Sequence, residues 1–265
     1  VNAANYKVKP AGKVYLVGAG PGDPELLTLR AVRVLASADF VLHDALVSAE
    51  VLALAAANAV RDDVGKRCGD RAIRQEQIHA RMIELALAGF NVVRLQGGDP
   101  AIFGRAGEEI AALANAGIEC EIVPGITTAS AAAAAAGISL TDRRTAGQLV
   151  FLAGHRAGDG APLEIPAPPS GGATAAVYMP SSSYTEIAQG FLESGWSADT
   201  PCIVVSEASS ARQRVLRSTI GALKTCERLP PPAILIIGET TRASNFVRFK
   251  TKNEIAPREI IAASV

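Results

Sequence analysis

The residues best placed to do chemistry cluster in short glycine-rich and charged loops. Val92-Val93-Arg94-Leu95-Gln96 is a β-branched run that ends abruptly in Gly97-Gly98-Asp99-Pro100, followed by Ala101-Ile102-Phe103-Gly104-Arg105. A buried strand gives way there to a turn whose backbone is bare on one side and fixed on the other, so a ligand can sit against it. A second loop, Gly18-Ala19-Gly20-Pro21-Gly22-Asp23-Pro24, follows the apolar run Val14-Tyr15-Leu16-Val17. A third candidate is the lone carboxylate of Asp44, at the end of Asp39-Phe40-Val41-Leu42-His43. At a strand end it can accept a proton, and it can equally cap a helix or close a turn. A fourth is the basic loop Gly65-Lys66-Arg67-Cys68-Gly69-Asp70-Arg71.

The first glycine loop invites comparison with a dinucleotide fingerprint, the mark of an oxidoreductase. That pattern needs glycine at its sixth position, where this chain has Asp23, and Pro21 removes an amide that would cradle a pyrophosphate. Nicotinamide or flavin binding is therefore disfavoured. Cys68, Cys120, Cys202 and Cys226 form no Cys-x-x-Cys pair, and His43, His79 and His155 show no ligand spacing, so no metal is expected.

The elements that must position these loops read as alternating strands and helices. Asp23 suits an N-cap, Pro24 the first helical position, and Leu27, Ala31, Val34 and Leu35 then repeat at helical spacing. Ser48 caps a helix through Leu54, and Val60 to Val64 is a weak strand. Ile78, Met82 and Leu85 mark a helix closed by Gly89; Ile110, Leu113 and Ala114 mark another closed by Gly117. Ile118 to Val123 is the fifth strand, and Ala131 to Ala136 is a closely packed helix stopped by Gly137. Five strands separated by helices predict a parallel sheet with helices on both faces. The second half brings strands at Leu149 to Leu152, Ala173 to Met179, Cys202 to Ser206, Gln213 to Leu216 and Ala233 to Ile237, with a helix opened by Ser181 to Ser183. The last two strands lie close in order, so that sheet is expected to be mixed. The chain is thus an α/β protein of two α/β domains, residues 12–137 and 138–250, with an active-site cleft between them and a polar tail at 251–265.

Lys plus Arg and Asp plus Glu both count 26, giving zero net charge, so no long-range field favours nucleic acid or a membrane surface. Any anionic substrate must be met by local arginines. No apolar run approaches the ~20 residues that span a bilayer, and the first residues lack the blocks of a signal peptide, so a cytoplasmic location is expected.

The ordered set Val17-Gly18-Ala19-Gly20-Pro21-Gly22-Asp23-Pro24, Asp44-Ala45-Leu46-Val47-Ser48, Val64-Gly65-Lys66-Arg67, Arg94 to Pro100 and Pro124-Gly125-Ile126-Thr127 resembles the tetrapyrrole methylase family, over roughly Gly12 to Arg248. It is most similar to the members that act on uroporphyrinogen III. The resemblance implies a homodimer with S-adenosylmethionine as methyl donor, bound between the two domains rather than on the first glycine loop. It also implies methylation of the tetrapyrrole at C2 and then C7, giving precorrin-2. Carried over residue by residue, the donor contacts Pro21, Gly97, Gly98, Asp99, Ile102, Thr127, Thr128, Met179 and Ala208. Met179 taken alone reads equally as core filler. Asp44 is implied as proton acceptor and Lys66 as proton donor. The eight substrate carboxylates call for arginines near loops; Arg67, Arg105 and Arg143, with Glu108, are the substrate-side candidates.

The chain departs from the family pattern chiefly on the substrate side. Ala45 stands for an arginine, Gln96 for a lysine, Ala101 for a phenylalanine, Ala106 for a glycine, Thr128 for an alanine and Pro180 for a glycine. Thr141-Asp142-Arg143-Arg144 replaces Thr-His-Arg-Asp, and a His-Ser pair is absent at Arg71-Ala72. These departures leave open a sister methylase acting on precorrin-2 or precorrin-4, and a non-catalytic donor-binding homologue.

Overall fold

The computed structural model describes residues 11–65, 75–154, 164–180 and 184–242. The first half forms the strands β1 (Val14–Gly18), β2 (Phe40–His43), β3 (Val60–Asp63), β4 (Val92–Gln96) and β5 (Cys120–Val123). They pair in the order β3-β2-β4-β1-β5, every pair parallel. The helices between them are α1 (Leu29–Ala36), α2 (Ala49–Leu52), α3 (Gln75–Leu87) and α4 (Ala106–Asn115), with α5 (Thr128–Ala136) after β5.

Strand alternation assigns the two faces. Val17, Val41, Val93 and Leu95 pack against Ala31, Val34 and Leu35 of α1 and Val51 of α2. Val14, Leu16, Leu42 and Val92 meet Ile78, Met82 and Leu85 of α3 and Leu113 of α4. Helices on both faces of a parallel sheet are what the sequence predicts. On β4 the same alternation turns Arg94 and Gln96 to the side of Val92, beneath α4.

The second sheet holds β6 (Gln148–Ala153), β7 (Ala173–Tyr178), β8 (Pro201–Ser206), β9 (Arg214–Thr219) and β10 (Ala233–Ile237), in the order β6-β7-β10-β8-β9. β6 and β7 are parallel, and the other pairs are antiparallel, so the sheet is mixed, as expected. One face is covered by α6 (Tyr184–Glu193) and α7 (Ile220–Leu223), whose Phe191, Ile220 and Leu223 are fully buried beside Val177, Val204 and Leu235. Burying a side chain such as Phe191 contributes about 2 kcal/mol. The other face is covered by α5. Its Ala129, Ala132 and Ala136 lie on Ile203, Val205, Ile234 and Ile236, and Gly137 ends it at φ 63°. Alanine lets this helix lie close to the sheet, which joins the two halves.

Three local expectations shift. Asp23 does cap, accepting from Glu25 N, but Pro24–Leu26 is only a 3-10 turn. Leu27 is extended, with ψ 145°, and the chain is capped a second time by Thr28 before α1 begins. Ser48 caps α2 as expected, yet the helix stops at Leu52. The strand expected over Gln213 to Leu216 is β9, displaced towards Thr219 because its hairpin register with β8 pairs Pro201 with Thr219.

Candidate functional site

Parallel strands put their carboxyl ends on one edge, and the strand order makes neighbours of loops far apart in sequence. Gly20 and Gly98 form an isolated bridge, Gly20 N donating to Gly98 O over 3.1 Å and Gly98 N to Gly20 O over 2.7 Å. Both glycines have positive φ, 67° and 72°, where a side chain is strained. Backbone also meets backbone at Gly18, where an added Cβ would lie 2.6 Å from Gly125 Cα. Asp99 completes the brace. Its Oδ1 accepts from Ala101 N over 2.8 Å and its Oδ2 from Gly125 N over 3.0 Å, so one carboxylate ties the loops after β4 and β5.

Above this brace a cavity of about 300 Å³ opens between the two sheets. Gly97, Gly98, Asp99, Ile102 and Phe103 form one wall, and Tyr178, Met179, Val205, Ala208 and Pro232 form the other. The Tyr178 hydroxyl hydrogen-bonds Thr127 Oγ1 over 2.6 Å and accepts from Ala129 N over 3.3 Å. Its ring meets Phe103 at 5.0 Å between centroids, linking the walls. Burial pushes the Tyr178 phenol above its ordinary pKa. At the rim Leu46, Phe103 and Met179 are exposed apolar side chains, the kind of surface that marks a ligand site.

Backbone strain gathers here too. Among the described residues, Phe103, Arg105, Met179, Glu207 and Ser209 are the non-glycines with positive φ. Phe103 and Met179 line the cavity, Arg105 follows Gly104, which also lines it, and Glu207 and Ser209 flank Ala208. Such conformations cost on the order of 1–3 kcal/mol each and persist where the surroundings enforce them.

Asp44 reaches the cavity from the end of β2. Its Oδ1 accepts from Arg94 Nη2 over 2.5 Å, and Arg94 Nε donates to Glu109 Oε1 over 3.1 Å. Gln75 Nε2 donates to the same oxygen over 3.0 Å, and Gln96 Nε2 to Glu109 Oε2 over 3.1 Å. Burial pushes the Glu109 carboxyl above its ordinary pKa, with Arg94 acting in opposition.

Every donor-side candidate, Pro21, Gly97, Gly98, Asp99, Ile102, Thr127, Thr128, Met179 and Ala208, therefore lines one cavity together with Asp44. Arg105 and Glu108 lie just beyond it and form a two-pronged ion pair, at 2.8 and 2.6 Å. Arg143 is exposed in the turn between α5 and β6. Lys66 and Arg67 fall outside the described residues, as does the 251–265 tail. Among the described residues no cluster of His, Cys, Asp and Glu is placed to hold a metal ion, and no helix is long and apolar enough to cross a membrane.

Sequence reasoning assigned no role to Arg94, Glu109 or Tyr178, though Arg94 opens one of the quoted motifs. The signal for Arg94 was a charge inside a strand buried at every position; for Glu109 it was a carboxylate in phase with Ala106 and Leu113 on the buried face of α4.

The model of the tetrapyrrole (corrin/porphyrin) methylases matches residues 13–224. The chain belongs to this family. A relative named uroporphyrinogen-III C-methyltransferase, from Paracoccus denitrificans, is 47% identical over 231 residues, covering 86% of this methylase and 80% of the relative. Siroheme synthase 1 of Yersinia enterocolitica is 47% identical over 229 residues, 86% of this methylase but 48% of the synthase, so the chain spans about half the length of that relative. A crystal structure of the Thermus thermophilus uroporphyrin-III C-methyltransferase complexed with S-adenosylhomocysteine superposes with a TM-score of 0.73 at 37% identity, covering 87% of this methylase and 99% of that chain.

Proposed function

We propose that this methylase transfers methyl groups from S-adenosylmethionine to C2 and C7 of uroporphyrinogen III, giving precorrin-2 by way of precorrin-1. The observation that carries the reading is the convergence of the donor-side motif positions and Asp44 on one cavity between the sheets. Relatives named for this reaction, and a structural neighbour complexed with S-adenosylhomocysteine, support it.

The cavity fits the donor on physical grounds. A Cβ at Gly97 would meet only the Leu46 side chain, at 3.7 Å, so the backbone leaves open space for a ligand. The wall carries the carboxylates of Asp44 and Asp99 and, among the described residues, no lysine or arginine, which suits a cationic ligand. Ile102, Val205 and Met179 offer apolar flanks for a nucleoside. Bound there, the donor supplies an electrophilic methyl on a sulfonium.

The protein's part is alignment in a water-poor cleft and removal of a proton. Asp44, held by Arg94, accepts the proton released from the pyrrole system. Lys66 serves as proton donor. Arg105, oriented by its pairing with Glu108, meets the acceptor's carboxylates at the rim together with Arg67 and Arg143. The homodimer and the cytoplasmic location belong to the same proposal.

Gln96 favours one second reading. It lines the cavity with its Oε1 buried and unpartnered, where the family pattern has lysine, so a sister methylase acting on precorrin-2 or precorrin-4 is the rival. Incubation with methyl-labelled S-adenosylmethionine and, in parallel, uroporphyrinogen III or precorrin-2 separates the two. Label entering uroporphyrinogen III supports the proposal. Donor binding without transfer to it, with transfer to precorrin-2, sinks it.

A further inference from the structure

Behind the arginine that holds Asp44 lies a buried carboxylate, Glu109, that the mechanism above does not use. Arg94 is 4% exposed and Glu109 fully buried. The Arg94 fork is occupied on every side: Nε by Glu109, Nη1 by the carbonyls of Leu42 at 3.4 Å and Leu95 at 3.3 Å, and Nη2 by Asp44. Only the last contact reaches the cavity, for the Asp44 side chain is about a third exposed. On its other side Glu109 accepts from Gln96, whose Nε2 also donates to Gly104 O over 2.9 Å. One buried carboxylate thus anchors Asp44 through Arg94 and the far end of the glycine loop through Gln96.

Stability is a poor reason for such a pair, since a buried ion pair gains little over apolar side chains of equal volume. What it supplies is a fixed direction for a third charged group. A guanidinium held at Nε and Nη1 by other partners cannot swing with Asp44, so the carboxylate must adapt to it.

We infer that Arg94 and Glu109 are positioning residues for methyl transfer: Glu109 fixes the Arg94 guanidinium, and Arg94 fixes the Asp44 carboxylate at the cavity edge. This rests on reading Asp44 as the proton acceptor. Neither Arg94 nor Glu109 lines the cavity, so their substitution acts chiefly on the rate of transfer, and reaches the donor side only through Gln96.

The test is a double-mutant cycle on kcat, with S-adenosylhomocysteine binding measured alongside. Glu109→Gln is expected to lower kcat about tenfold, less than the roughly 100-fold or more that removal of a general base itself costs, while the S-adenosylhomocysteine Kd stays within about twofold. In an Asp44→Asn background the same substitution is expected to cost nothing further, because its effect passes through Asp44. If Glu109→Gln does not fold, the paired change Arg94→Met with Glu109→Leu, which removes both charges at similar volume, takes its place in the cycle. A folded variant with unchanged kcat, or a loss that multiplies with that of Asp44→Asn, overturns the inference. Asp44→Asn with wild-type kcat overturns the reading beneath it instead.

Discussion

Gly20 and Gly98 exchange both of their backbone hydrogen bonds, across loops that follow β1 and β4. The first glycine loop therefore spends an amide on a brace instead of on a phosphate, which gives a structural reason for the failure of the dinucleotide pattern. The backbone left for a ligand lies one residue earlier, at Gly97.

Gly97 and Gly98 should accordingly respond differently to alanine. Gly98 has φ 72°, so Gly98→Ala is expected to cost about 1–2 kcal/mol of folding stability. Gly97 lies outside that region, and its added methyl meets only Leu46. Gly97→Ala is expected to unfold like the wild type in urea and to weaken S-adenosylhomocysteine binding at least tenfold by calorimetry. Unchanged affinity in a folded Gly97→Ala protein would remove the donor from this wall.

Asp99 holds two loops with one carboxylate, and both of its hydrogen bonds come from backbone amides. Asp99→Ala is expected to lower stability by about 2 kcal/mol and to weaken donor binding, because the glycine loop loses its tether to Gly125. Urea denaturation and calorimetry read the two effects. Loss of neither would mean that the Gly20–Gly98 pair braces the loop unaided.

Arg105 has φ 59° and pairs with Glu108 on the surface, where an ion pair contributes only about 0–1 kcal/mol. Arg105→Ala is expected to keep the fold and the S-adenosylhomocysteine affinity and to raise the KM for the tetrapyrrole. Equal losses for both ligands would contradict this division of the site.

The buried thiol of Cys202 and the half-buried thiol of Cys120 set a pH expectation. Burial pushes Cys202 up to about 12 and Cys120 up to about 11. A raised thiol pKa means less thiolate, about one part in a thousand for Cys120 at pH 8. Native protein is expected to modify neither residue with a thiolate-specific reagent at that pH, while protein unfolded in guanidinium modifies both. Fast labelling of Cys202 in the native state would contradict its packing between β10 and β9.

Much of this architecture was legible because local rules and tertiary structure agree. Val92 to Gln96 followed by two glycines marked a buried strand and the turn that lines the cavity, and Gly137 marked the end of the alanine helix. The helix start at Pro24 misled because Asp23 satisfies a cap that only a 3-10 turn follows; the second cap at Thr28 carries no louder signal. The motif resemblance singled out residues that the fold brings to one cavity, since a backbone-lined wall is written in contiguous glycines. It included Arg94 in a motif without giving it a role and did not reach Glu109, because their partnership depends on β4 lying beneath α4. Such a contact between separate elements follows from packing, and the only trace it left was charge in buried phase.

The most direct test of the account is the position of the transferred carbon. With S-adenosylmethionine carrying a carbon-13 methyl and uroporphyrinogen III as acceptor, carbon NMR of the product is expected to show two enriched methyls, bonded to C2 and C7. Enrichment at any other ring carbon, or none while S-adenosylhomocysteine still binds the cavity, would contradict it.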